Sequence, residues 1–245
     1  MNYIVLTVFL AICLYSAISG KQKYRELKSA KTPKKRIATF KTWLYQSWAL
    51  FGATATIGLL LLHKMDYLWR PIWHNATADT FSKQFFGDPG TSFGLLGGAV
   101  IGILTMGIMS AYAARTKGKQ VTIGDFQALL PRSSEEFRWA AALSATAGVT
   151  EELFFRAALP LALAAVFGHM VVAILASVII FSLQHIYQGW QGVLGTLFAG
   201  AMLMAIYVLT GNILPGIIFH CLVDLNGLVV QPFIRSKFSK KVVGV

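Results

Sequence analysis

Acidic side chains are scarce in this chain: Asp and Glu total 10 against 22 Lys and Arg in 245 residues, and charged residues of both signs make up only 13%. With 56% hydrophobic residues and a mean hydropathy of +0.60, so little charge excludes an ordinary soluble domain and a disordered chain alike. The formal net charge of +12 does not make a basic face, because Lys and Arg gather between hydrophobic runs; that distribution argues against a nucleic-acid partner. Cysteine is nearly absent too. Cys13 and Cys221 both fall in apolar segments, too few for a disulfide framework or a cysteine zinc site, and read as small core residues. HExxH does not occur, which removes the usual mark of a zinc protease.

What the chain has in quantity is apolar length. A helix needs roughly 20 apolar residues to cross the hydrocarbon core, and seven segments meet or approach that length: about 2–19, 43–63, 92–113, 138–167, 170–187, 193–210 and 213–231. The expected fold is an all-α polytopic membrane bundle of about seven transmembrane helices, in a single membrane domain over 1–245. An eighth crossing would arise only if 138–167, which contains Pro160, spans more than once. The first segment has no Lys or Arg ahead of its apolar run, so it reads as a retained anchor rather than a signal peptide. Residues 20–41 carry nine Lys or Arg, 114–138 carry five and the tail after 231 carries four, whereas 64–90 carries three, matched by three Asp. That asymmetry places the N-terminus outside and the C-terminus in the cytoplasm; the expected location is the plasma membrane.

Several features have structural readings. Residues 67–74, YLWRPIWH, look like an interfacial aromatic belt that includes His74, and Asn75-Ala76-Thr77 is a formal glycosylation sequon. Gly98 and Gly102 form a GxxxG pair suited to close helix packing. In SSEEFR, residues 133–138, Ser133 and Glu136 make a capping box that opens the next helix.

Charge inside the apolar runs is the exception. An ionisable group at the centre of a membrane helix costs about 2.5–3.5 kcal/mol on insertion scales, yet three segments of the C-terminal half carry such groups: Glu151, Glu152 and Arg156 in TEELFFR, His185 in FSLQH, and His220 and Asp224 in HCLVD. Glu152 and Arg156 are four apart in the orientation that favours an ion pair on one helix face. Glu151, rotated by about 100°, points elsewhere. Phe181 shares a face with His185, and Asp224 with His220, where a carboxylate could orient the imidazole. Buried ion pairs and satisfied core histidines can hold membrane helices together, but three clusters falling together favour a site. A glutamate with two histidines can activate water and stabilise an oxyanion, the inventory of peptide hydrolysis. Glu151, His185 and His220 could instead hold zinc; and a transporter or immunity protein could use the same groups to bind ions or relay protons. Ser182 carries no mark of an activated nucleophile, and Cys221 is rotated away from His220.

With these residues in view, the chain resembles the CAAX prenyl protease and bacteriocin-processing family (CPBP, Abi) of intramembrane proteases, related to the type II CAAX prenyl endopeptidase. The family's EExxxR, FxxxH and Hxxx(N/D) motifs stand as Glu151-Glu152 to Arg156, Phe181 to His185 and His220 to Asp224, and the resemblance covers about residues 138–228. It implies an endopeptidase with its catalytic core in 134–231, residues 1–130 contributing helices without a chemical motif. Glu151 would activate water with help from His185, while His220 and residue 224 stabilise the oxyanion; Glu152 and Arg156 support the site, and Phe181 shapes the pocket. Asp224 stands where Asn is common. Ionised, it cannot donate to an oxyanion and would instead orient His220. No cofactor is expected beyond the zinc alternative; the implied partners are a peptide or lipidated protein substrate, CAAX-type or bacteriocin-leader-like, and membrane lipid.

Overall fold

A computed structural model describes residues 1–69 and 124–239, with isolated helical positions between 97 and 112. Among the described residues there is no strand. Helix α1 is Asn2–Ser29. Helix α2 runs from Pro33 to Leu61; α3 comprises Ser134–Glu152, Leu153–Ala158 and Leu159–Phe167 without a break. Helix α4 is Met170–Leu183, α5 is Gly189–Thr210, and α6 comprises Ile213–Leu225, Asn226–Val230 and Gln231–Ser239.

Local chemistry marks the helix ends. Thr32 accepts a hydrogen bond from the Lys35 N–H with Pro33 in the first turn of α2, Ser133 accepts from the Glu136 N–H at 3.3 Å, and Asn212 caps α6 by accepting from the Leu214 N–H at 2.9 Å; each satisfies one of the orphan donors of a helix start. Helices α3 and α5 stop at Gly168 and Gly211, whose φ of 76° and 64° reverse the chain where a side chain would be strained. The Ser133 cap forms as expected, but Glu136 does not complete the box on Ser133: its Oε2 accepts from the Arg132 N–H at 2.9 Å and from Arg36.

Four described helices are long and apolar enough to cross a membrane: Asn2–Ser29, Pro33–Leu61, Ile186–Thr210 and Ile213–Lys237. Helix α4 is apolar but shorter, and α3 carries the charges of the motifs. The expected span 92–113 falls largely outside the described residues, as do His74, most of the aromatic belt and the Asn75 sequon. At Gly98 and Gly102 an added Cβ would meet no described atom within 4 Å, so the close packing expected of that pair is not seen among the described residues. The basic stretch 20–41 is no loop. Helix α1 carries it on to Ser29 and α2 resumes at Pro33; 28 residues of helix measure about 42 Å, longer than the ~30 Å hydrocarbon core.

Pro160 neither breaks α3 nor folds it back. Residues Leu153–Ala158 form a π-helical stretch in which the Leu159 N–H donates to Phe154 O, five residues back. In that register the next carbonyl, Phe155 O, faces Pro160, which has no N–H. Ser177 of α4 supplies the missing donor, Oγ to Phe155 O at 2.7 Å. One side chain thus satisfies the carbonyl that the proline orphans and ties α4 to α3.

Helix α3 lies at the centre, packed on α1, α2, α4 and α6. Phe154 and Phe155 are fully buried, with ring centroids 4.9 Å from Phe9 of α1, 5.1 and 5.2 Å from Phe51 of α2 and 5.3 Å from Phe181 of α4. A second cluster, Tyr24, Leu27, Phe40, Ala128 and Leu129, closes the end of the bundle where the basic residues lie. The outward faces keep large apolar side chains such as Ile4, Val171 and Phe198 exposed, as lipid contact requires.

Candidate active site

The site begins where α3 and α6 approach most closely. An added Cβ at Gly148 would come within 2.3 Å of Cys221 Sγ, and one at Gly216 within 3.2 Å of Glu152 Oε2. These two bare positions let the helices meet closely enough for His220 Nδ1 to donate to Glu152 Oε1 at 2.8 Å. The same carboxylate oxygen lies 3.1 Å from Arg156 Nη2, the ion pair expected from the spacing. Glu152 and Arg156 are both wholly buried, and the Arg156 guanidinium lies 4.3 Å from the centre of the Phe181 ring. A buried charge held by a partner carboxylate and a ring face avoids much of the penalty of isolation.

The far edge of His220 faces two more carboxylates: Nε2 is 3.9 Å from Glu151 Oε2 and 3.8 Å from Asp224 Oδ2. Glu152, not Asp224, makes the bond that orients this ring. Asp224 does share a helix face with His220, but the imidazole is turned across to α3 and leaves Asp224 beyond hydrogen-bond reach.

His185 ends the turn that follows α4. Its Nδ1 lies 3.2 Å from Phe181 O, and because a carbonyl can only accept, Nδ1 carries the hydrogen in this contact, which leaves the lone pair of the neutral ring on Nε2. Phe181 is the hub of the group, with its ring 5.1 Å from His185 and 6.2 Å from His220, edge-on to both.

A cavity of about 310 Å³ opens on this cluster, and Glu151, His185 and Asp224 line it. Its walls also include Trp43 and Phe51 of α2, Phe126 and Leu129 of the segment before α3, and Tyr187. Much of this wall was invisible to motif reading, which treated residues 1–130 as chemically mute: apolar residues on a membrane helix look alike whether they face lipid, core or cavity. The segment carrying Phe126 is pinned to the turn before α5, where the Asp125 N–H donates to Gln188 O at 2.8 Å, and to α5 itself, where Gly124, at φ 86°, lies so close to Gly192 that an added Cβ would come within 2.7 Å of its Cα.

Of the candidate zinc ligands, Glu151 and His220 are near neighbours. Among the described residues no group of three or more His, Cys, Asp or Glu side chains is gathered at metal-binding spacing.

Residues 133–226 match the family model described as Rce1-like, type II CAAX prenyl endopeptidase Rce1-like. That Rce1-like segment holds all three motifs, from Glu151 to Asp224, and supports the CAAX protease family resemblance read from them. It implies a protease, and with the long apolar helices it fits an integral membrane protein. No curated protein and no solved structure matches the chain.

Proposed function

We propose that this protein is an intramembrane endopeptidase in which Glu151 activates water to hydrolyse a peptide bond of a membrane-associated substrate. The observation that carries this reading is the cavity lined jointly by Glu151, His185 and Asp224, three side chains from three helical regions far apart in sequence. Glu151 removes a proton from the attacking water, with the Nε2 lone pair of His185 as a second acceptor in the same space. The new C–O bond converts the scissile carbonyl to an oxyanion. As the C–N bond breaks, the proton held by Glu151 passes to the leaving amine and the carboxyl product departs. Glu152 and Arg156 support the site by holding His220, which can donate to the oxyanion through Nε2 only when both its nitrogens carry hydrogen.

The aromatic cavity walls suit an apolar substrate segment, either the prenylated cysteine of a CAAX sequence or a hydrophobic leader of the bacteriocin type. The cavity lies toward the end of the bundle with the basic residues, which the charge asymmetry assigns to the cytoplasm of a plasma-membrane protein.

The test uses purified protein in liposomes and two internally quenched peptides, one with a farnesylated cysteine followed by three residues and one an unprenylated apolar leader. Glu151→Gln should lower kcat by about 10³-fold or more with the thermal midpoint unchanged; persisting turnover would sink the proposal. Chelation followed by zinc addition separates the metal-dependent version, which requires loss and restoration of activity.

A further inference from the structure

The oxyanion needs donors: Ser16 of α1 and Trp43 and Ser47 of α2 offer them from one wall of the cavity, but the groups of the three motifs are rich in acceptors. Glu151 and Asp224 are acceptors when ionised, and His185 presents a lone pair because its Nδ1–H is turned to Phe181 O. His220 uses its Nδ1–H on Glu152. The Thr196 hydroxyl, also in the lining, is engaged with Gly192 O at 2.9 Å, and the Gln184 amide reaches Ile180 O at 3.3 Å. The position that carries a donor in many Hxxx(N/D) motifs is the acid Asp224 here.

Tyr187 fills that need. It lines the cavity with Glu151 and Asp224, and its ring is held on three sides, with centroids 6.0 Å from His185, 5.2 Å from Tyr24 and 6.0 Å from Trp43. Its hydroxyl oxygen accepts from Gln188 Nε2 at 3.0 Å. An accepting hydroxyl directs its own proton away from that donor, and among the described residues no acceptor for that proton is found. A phenol fixed by ring packing and by a donor to its oxygen is a pre-oriented hydrogen-bond donor, the property that makes an oxyanion site effective.

We infer that Tyr187 is a further site residue that donates its hydroxyl hydrogen bond to the oxyanion, in the role that Asp224 cannot fill as a carboxylate. The inference rests on the proposed hydrolysis at Glu151. Tyr187→Phe keeps the ring and removes only the hydroxyl. With the farnesylated quenched peptide in liposomes, it should lower kcat about 100-fold with KM and the thermal midpoint held. A kcat within twofold of the parent, a rise in KM alone, or a kcat loss matched by a fall in the midpoint would each overturn it. Glu151→Gln measured alongside keeps the two proposals apart: if that variant is dead and Tyr187→Phe is fully active, only the tyrosine role fails, whereas an active Glu151→Gln removes the hydrolytic reading itself.

Discussion

Two buried arginine–glutamate pairs sit at different levels of this bundle, and they are finished in different ways. At the basic end, Arg36 of α2 donates through Nε to Glu136 Oε2 at 3.0 Å, and its remaining nitrogens reach Leu27 O at 3.3 Å, Ala128 O at 2.9 Å and Leu130 O at 3.0 Å. One guanidinium ties the end of α1 and the segment 128–130 through their carbonyls to the start of α3, which it holds through the Glu136 carboxylate. Deeper in, Arg156 has the same partner type and the same burial, but Nε and Nη1 have no hydrogen-bond partner among the described residues. Its carboxylate partner is shared with His220, and its flat face rests on Phe181. The first pair is closed by carbonyls, which hold one geometry. The second is completed by a histidine and an aromatic ring that themselves belong to the candidate site.

Methionine substitution should separate these two designs. Arg36→Met leaves Glu136 buried without its cation and three carbonyls without a donor, and should lower unfolding free energy in detergent by about 3–5 kcal/mol, with turnover per folded molecule kept. Arg156→Met leaves His220 still bonded to Glu152, so the stability loss should be smaller, about 1–3 kcal/mol, while kcat toward the farnesylated peptide falls at least tenfold because the Glu152–His220 unit loses its anchor. Equal stability losses with equal turnover would break the comparison.

The contrast also explains what could be read without a structure. Charge inside apolar runs pointed to Glu151, Glu152, Arg156, His185, His220 and Asp224, because the bilayer makes each such residue expensive. The structure gathers these residues around a shared cavity and its immediate support. Arg36 carried no such signal: it lies among the nine basic residues of 20–41 and looks like the rest of a solvated stretch. Which carboxylate would hold His220 was not legible either. Spacing along α6 favoured Asp224, and the answer depends on the approach of α3 and α6 at Gly148 and Gly216. Tyr187 has no periodic or charge signature at all, since it stands in a short turn between helices. The seven-span expectation identified the helical class; four described helices meet the length and apolarity of a span, and the helix boundaries moved because charged helix can continue beyond the bilayer.

The proline of α3 sharpens the comparison at a smaller scale, since Phe155 O, like the carbonyls around Arg36, depends on a single side chain. Ser177→Ala removes the donor from a buried carbonyl and should lower stability by about 1–3 kcal/mol, read as a fall in the thermal midpoint. Ser177→Thr, which keeps the hydroxyl, should lose less. An unchanged midpoint in the alanine variant would mean that the π-helical register of Leu153–Ala158 does not need α4.

The smallest effect belongs to the segment that Arg36 holds from beneath, because its upper tie is exposed. Asp125 accepts from Lys28 Nζ at 2.9 Å and from the Tyr24 hydroxyl at 2.8 Å, with its side chain 47% exposed. The Lys28 ammonium first, and then the tyrosine hydroxyl, hold the Asp125 carboxyl below the usual carboxylate range. A depressed acid contributes stability fully above its unfolded value, near pH ~4, and loses it as pH falls through the lower folded value. Exposed pairs of this kind are worth roughly 0–1 kcal/mol, so the whole protein should scarcely notice. The local effect should be visible in amide protection at Leu129 and Leu130, measured relative to the intrinsic exchange rate: it should fall as pH drops below about 4 and hold steady between about pH 5 and 8. Asp125→Asn should abolish that acid response. If the asparagine variant kept it, the segment over the cavity would be governed by the Arg36 carbonyl bonds and the backbone bond of residue 125 to Gln188 O, and the exposed tie would have no part in closing the wall that carries Phe126.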